Sequence, residues 1–222
     1  VYTGAVRKIR ELVEAQGIGE IYYYDSVRVN LGLFQHDVNV LWDLAVHDLS
    51  IMDYVLPAQP IAVSATGVGH VAGEPENIAY LNLFFANNLI AHIHANWLAP
   101  VKVRRTLIGG SKKMIVYDDL EPSEKIKVYD KGITLNGNGA SGEKRYQMLV
   151  GYRTGDMWAP HLDATEALSL ELREFVKCVE SGAVPTSDGH AGLRVVRILE
   201  AATRSLADRG GIIELEGAGC TV

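Results

Sequence analysis

The feature that most constrains this chain is a succession of short β-type runs in its middle third. Each is separated from the next by turn-forming or loop residues. The runs cover residues 61–66, 80–85, 89–97, 103–108, 114–117, 126–129 and 133–135. Short connections favour antiparallel neighbours, because a parallel crossover needs a dozen residues or more. Asn87-Asn88 suits a hairpin turn, since Asn tolerates positive φ. Gly109-Gly110 and Asp130-Lys131-Gly132 mark further turns. An earlier run, residues 21–30, is rich in Tyr and Val, and its alternation puts Tyr22, Tyr24, Ser26, Arg28 and Asn30 on one face.

Helical periodicity brackets these strands. Residues 5–15 carry Val6, Ile9, Leu12 and Val13 at spacings of three and four, and a longer helix spans 39–55 until Pro57 stops it. His36-Asp37 stands where a cap for that helix would be. Two helices close the chain. The first, 165–180, has Leu168, Leu172, Phe175, Val176 and Val179 on one stripe, with Asp163 and Glu166 spaced like a capping box. The second, 190–207, turns Leu193, Val196, Leu199 and Leu206 inward, and a short strand at 212–215 follows. Residues 136–163 read as one long loop. The pattern predicts an α+β fold: a large, mostly antiparallel sheet with helices packed on one face. The βαβα alternation of a doubly wound dinucleotide domain is absent.

Composition narrows the function. A formal net charge of −6 argues against nucleic-acid partners, and no run of 18 apolar residues exists to span a membrane. Cys178 and Cys220 are far apart and lack metal-ligand spacing, which fits a reducing, cytoplasmic setting rather than a disulfide framework.

The strongest chemical pattern is Trp42-Asp43-Leu44-Ala45-Val46-His47-Asp48 within the 39–55 helix. Residues four apart share a helix face. The packing stripe runs instead through Leu41, Ala45, Leu49, Met52 and Leu56, so Asp43 and His47 point away from it. An Asp beside a His orients the imidazole and raises its pKa, which suits general acid–base work. The same spacing also describes an exposed ion pair with no chemical role. Asp48 lies well round the helix from Asp43 and is not expected to share their face.

The stretch Asp25-Ser26-Val27-Arg28-Val29-Asn30-Leu31-Gly32, followed by Asp43-x-x-x-His47, resembles the Gfo/Idh/MocA oxidoreductase family. The likeness extends to the helix before the first strand, the sheet, Gly109-Gly110-Ser111-Lys112 and the two closing helices. It implies the C-terminal, substrate-binding and oligomerisation domain of an NAD(P)-dependent dehydrogenase acting on a sugar, nucleotide sugar or cyclitol. By similarity His47 is the base or a proton relay, and Asp43 orients it and contacts the sugar. The likeness also implies that residues 1–20 are the last helix of a dinucleotide-binding domain otherwise missing, and that the sheet face pairs with a second subunit. The family's E-K-P lysine motif has no counterpart here, since Glu124-Lys125-Ile126 lies in strand and turn. The dinucleotide fingerprint is missing too: Gly67, Gly69 and Gly73 have the wrong spacing and run into Glu74-Pro75. NAD or NADP would therefore bind mainly outside this chain, which on its own is expected to be inactive.

Further substrate contacts are expected from Arg28 and Asn30, on the strand before the helix. Arg153 and His161 add to these from a stretch rich in aromatic residues, where Arg forks and aromatic faces suit sugars and diphosphates. Two alternatives stay open. One is a non-catalytic sugar-binding or dimerisation module. The other is a metal-dependent hydrolase using Asp43 and His47 with His92 and His94, two apart on one strand face.

Overall fold

The computed structural model describes residues 1–32, 34–130, 132–135, 150–153 and 155–215. Helix α1 (Gly4–Glu14) opens the chain; Thr3 caps it through its hydroxyl, and Ala5, Val6, Ile9 and Val13 are buried. Strand β1 (Ile21–Leu31) follows, then a π-helical turn (Leu41–Ala45) running directly into helix α2 (Val46–Val55). Strands β2 (Ala62–Val68), β3 (Ile78–Phe84), β4 (Ile90–Asn96), β5 (Leu98–Gly110), β6 (Met114–Asp118) and β7 (Ile126–Tyr129) come next. Strands β8 (Gly132–Leu135) and β9 (Val150–Arg153) pair with each other, and β10 (Met157–Trp158) returns to the main sheet. Helices α3 (Ala167–Ser181) and α4 (Gly189–Ala207) and strand β11 (Ile213–Glu214) complete the described chain.

The main sheet is ordered β10-β7-β6-β5-β1-β4-β3-β2-β11 and is antiparallel apart from the central β1–β4 pair. The expected α+β architecture is therefore the observed one. Because β1 slots between β4 and β5, the strand leading to the Asp43–His47 helix is the most enclosed in the sheet.

Register explains the two faces. Across the strands, Ala65, Leu81, Ile93, Ser26, Thr106, Tyr117 and Ile126 form one continuous row of paired residues. All seven are buried, and α2 and α4 lie on this side. On the other face the partners are Ser64, Asn82, His92, Asp25, Leu107 and Val116, a mixed and partly open surface. The period of two is the cause, since one face buries its apolar set and the other is left to solvent or a partner.

Several expectations need correction. Gly109 and Gly110 are the last residues of β5 rather than a turn, and Ser111-Lys112 makes the bend. A Cβ on Gly110 would lie 2.2 Å from the carbonyl oxygen of Ile18, so glycine is needed where the α1–β1 loop crosses the strand end. The region read as one long loop contains β9 and β10; residues 136–149 and 154 within it lie outside the described residues. The capping box is not formed. Asp163 instead accepts from the backbone and hydroxyl of Thr165 at 2.9 and 2.6 Å, and α3 begins after Glu166.

In α4, Leu199 is buried, but Leu193 and Val196 are exposed. Its buried stripe runs instead through Val195, Ile198, Leu199, Ala202 and Ser205, because this helix is apolar on two sides and only one meets the sheet. The stripe of α3 forms as the periodicity predicts, yet Leu168, Leu172, Phe175, Val176 and Val179 are all exposed. Cys178 is a free thiol on that helix, and Cys220 lies outside the described residues.

Candidate active site

The site is built at the junction of β1, the π-turn, α2 and the β4–β5 corner. The packing stripe predicted for this segment holds: Leu41, Ala45, Leu49, Met52 and Leu56 are all buried. The helix enters through Asn39, whose side chain accepts from Leu41 N at 3.1 Å; His36 instead meets Glu74 at 2.8 Å. The residues around Asp43 wind as a π-helix rather than an α-helix, a distortion that recurs at functional sites. Two indoles hold it. Trp42 Nε1 donates to Thr203 Oγ1 on α4 at 3.0 Å, and Trp97 Nε1 donates to Asp43 Oδ2 at 2.7 Å.

Asp43 is thus oriented by Trp97 rather than by His47, and no hydrogen bond joins Asp43 to His47 among the described residues. Phe34 stacks on Trp97 with ring centroids 5.8 Å apart. A Cβ on Gly32 would come within 3.0 Å of the Trp97 ring and 3.2 Å of Asn30 Nδ2. Asn30, Gly32, Trp97 and Asp43 therefore make one corner. Trp97 was not foreseen as a site residue, although the apolar alternation Ala91, Ile93, Ala95, Trp97 placed it on the buried face at a strand end. Trp97→Phe removes the donor to a carboxylate, an interaction worth about 1.5–3 kcal/mol. The expected outcome is a lower thermal midpoint by circular dichroism, with the fold retained.

Asp48 anchors the helix to the sheet. Its carboxylate takes Arg28 Nε at 2.6 Å, Arg28 Nη2 at 3.2 Å and the Ser26 hydroxyl at 2.8 Å, while Tyr24 OH donates to its backbone carbonyl at 3.2 Å. Asp48 is 2% and Arg28 7% exposed. Arg28, expected to reach substrate, is consumed by this pair. Across the β1–β5 pairing its direct partner is Arg104, a second guanidinium on the same face.

His47, next to Asp48, is exposed at the helix surface. Partial desolvation, reinforced by Arg28 and Arg104, holds its imidazole below the ordinary histidine value, with Asp48 and Asp43 opposing. The expectation that a neighbouring Asp raises this pKa is therefore reversed in net sign. The reason is that partial burial of the ring outweighs the two carboxylates, with the charges of Arg28 and Arg104, remote in sequence, adding to it. A neutral imidazole at physiological pH is the form that accepts a proton.

The remaining predicted residues fall elsewhere. Arg153 is in β9, and its side chain lies outside the described residues. His161 lines a cavity of about 440 Å³ against α1, with Arg7, Lys8 and Arg10. His92 and His94 are on the opposite face of the sheet: His92 Nδ1 meets Asp25 at 2.9 Å, and Tyr80 stacks on His94 at 4.5 Å. The sheet separates them from Asp43 and His47, which removes the shared metal centre a hydrolase would need. Among the described residues no cluster of three or more His, Cys, Asp or Glu could hold a metal.

The Gly67, Gly69 and Gly73 string does not form a phosphate-binding turn. Gly67 lies in β2 against the Ile78 carbonyl and Leu206, and no glycine turn opens a helix N-terminus there. No helix among the described residues is long and apolar enough to cross a membrane.

Comparison with known proteins agrees with this fold. Residues 6–116 match the family model described as the GFO/IDH/MocA C-terminal domain. Inositol 2-dehydrogenase from Rhizobium meliloti is 22% identical over 200 residues, covering 83% of this chain and 50% of that protein. UDP-N-acetylglucosamine 3-dehydrogenase from Acidithiobacillus ferrooxidans is 26% identical over 161 residues, covering 72% of this chain and 46% of that protein. The chain thus spans about half the length of the curated relatives it matches. A crystal structure of the latter enzyme superposes with a TM-score of 0.69 at 20% identity, over 92% of this chain and 60% of that one. Levoglucosan dehydrogenase in complex with NADH and levoglucosan gives a TM-score of 0.73 at 16% identity, over 97% and 64%. The chain belongs to the Gfo/Idh/MocA oxidoreductase family, as a C-terminal domain of that family.

Proposed function

We propose that this chain is the substrate-binding domain of an NAD(P)-dependent dehydrogenase that oxidises a hydroxyl of a sugar, nucleotide sugar or cyclitol. The observation that carries this reading is the placement of Asp43 and His47. They stand on a helix locked to the central strand by Asp48 and Arg28, with His47 exposed and its pKa depressed. Oxidising an alcohol removes a proton from oxygen as well as a hydride from carbon, so a base in reach of the hydroxyl is required. His47 takes that proton, and Asp43, held by Trp97, contacts the sugar beside Asn30. The nicotinamide cofactor, when bound, supplies the two-electron acceptor.

The relatives' greater length supports cofactor binding by a domain outside these 222 residues. The uncovered apolar stripe of α3 is a surface such a domain would cover. On that reading residues 1–20 link the two domains, although α1 packs its own buried stripe into this one. The open sheet face, with Tyr80, Ile90 and the stacked histidines, is where a second subunit would sit in a cytoplasmic homo-oligomer.

The test is reduction of NAD⁺ or NADP⁺, followed by absorbance, with the holoenzyme and three substrates: UDP-N-acetylglucosamine, myo-inositol and levoglucosan. Turnover of at least one class is expected. Saturable sugar binding without turnover of any class would favour the non-catalytic module.

A further inference from the structure

The terminal torsion of an aspartate side chain is broad, so a carboxylate on a helix surface has no fixed plane of its own. Asp43 is an exception, because Trp97 Nε1 donates to its Oδ2 at 2.7 Å. The donor is itself immobile. Trp97 is 1% exposed and lies between β4 and β5, with both backbone groups engaged. Its N–H donates to the Asn77 carbonyl at 3.0 Å, and its carbonyl accepts from Gly32 N at 3.1 Å. Phe34 stacks on the indole, and Gly32 packs against its edge. The point from which this bond is made is therefore fixed by segments outside the π-turn.

The two oxygens of Asp43 have different surroundings. Oδ2 is taken by the indole. Oδ1 accepts from no protein donor among the described residues and, unlike the unpaired Asn77 Nδ2, it is open to solvent. An indole N–H only donates, so a carboxylate with one oxygen held this way presents the other as an acceptor in a set direction. A sugar hydroxyl is the donor such an oxygen meets. Aim matters for the chemistry, since a displacement of about 1 Å can cost about 10²-fold in rate.

We infer that Trp97 is a positioning residue that acts through Asp43, aiming Oδ1 so that it takes a substrate hydroxyl and turns it toward His47. This rests on the dehydrogenase reading above and deepens it, because nothing in the Asp43–His47 spacing calls for an indole 54 residues away. The indole itself touches no substrate; its effect on the reaction passes through the carboxylate.

The experiment is a double-mutant cycle in the holoenzyme, with Trp97→Phe and Asp43→Ala made singly and together. Turnover is read with NAD⁺ or NADP⁺ and UDP-N-acetylglucosamine, myo-inositol or levoglucosan. Trp97→Phe is expected to lower kcat by about 10-fold or more on the sugar turned over, with KM changed less. A rotated carboxylate still accepts a hydrogen bond but misdirects the hydroxyl. In the Asp43→Ala background the same change should cost less than about 2-fold, since the residue through which the indole acts is gone. Thermal melts show whether each variant is folded. If Trp97→Phe is not, the benzothienyl isostere of tryptophan at position 97 keeps the ring shape and lacks only the N–H donor. Losses that multiply in the double variant, or a smaller loss of kcat in a folded single variant, would reject the positioning role and leave the dehydrogenase reading intact. Proton NMR of the Trp97 indole N–H covers the reverse case. A shift at saturating sugar that is absent in Asp43→Ala, without hydride transfer to NAD(P)⁺, would keep the Trp97–Asp43–hydroxyl contact while rejecting the dehydrogenase. Neither turnover nor a shift with any of the three sugars would overturn both.

Discussion

Replacing His47 by Ala lowers turnover of the NAD(P)-supplied holoenzyme by about 10²–10⁴-fold, the range expected for loss of a general base. The loss should appear in kcat with little change in KM, because the imidazole acts on the proton and not on the bulk of the sugar. Turnover within a few-fold of wild type would remove His47 from the mechanism. The pH dependence follows from the depressed pKa. His47 stays neutral below the ordinary histidine value of about 6.5, so activity should persist to more acidic pH than an unperturbed histidine allows. The same shift acts on stability. The unfolded chain binds the proton more readily than the folded one, so the contribution is present above the unfolded value and is lost as pH falls below it. Arg104→Gln should raise this pKa and move the acid limb of the profile toward neutrality, which rate measurements across pH would read.

Asp48→Ala is expected to destabilise the domain by about 3–5 kcal/mol, because it leaves the Arg28 guanidinium buried without its counter-ion. The consequence is larger here than for an isolated pair. Arg28 faces Arg104 directly, so removing Asp48 also exposes an arginine–arginine contact between adjacent strands. Ser26 loses its acceptor as well. Urea unfolding followed by circular dichroism measures the change, and a loss below about 1 kcal/mol would mean that water replaces the carboxylate. Replacing both partners, Arg28→Met with Asp48→Leu, should recover much of the stability, since an apolar pair of similar volume carries no desolvation cost.

How far each reading reached depends on the range of the interaction behind it. Positions of strands and helices were legible because periods of two and 3.6 are local: the β1 face of Tyr24, Ser26 and Arg28 and the stripe Leu41 to Leu56 form as the spacing implies. The stripe of α3 was legible as a pattern, but periodicity does not say whether a partner covers it, and none does among the described residues. The Asp43–His47 spacing, with the family resemblance, marked the candidate site. The wheel argument that paired them assumed an α-helix, and the π-turn replaces it. That turn is held by Trp42 on Thr203 and Trp97 on Asp43, contacts 161 and 54 residues apart in sequence. No local window contains them.

The depressed pKa of His47 is a similar case. It arises first from partial burial of the ring, reinforced by the charges of Arg28 and Arg104, which the β1–β5 register brings together from 76 residues apart. By itself the amino-acid sequence determined the α+β class and the sheet faces, which rest on periodicity, and it singled out Asp43 and His47 as candidates through their spacing together with the family resemblance. Only the tertiary structure decided that Arg28 serves Asp48, that Trp97 holds Asp43, and that Arg104 pairs with Arg28 across the strands. Charge and hydrogen bonding act through space, and strand register, set by the whole sheet, decides which residues share it.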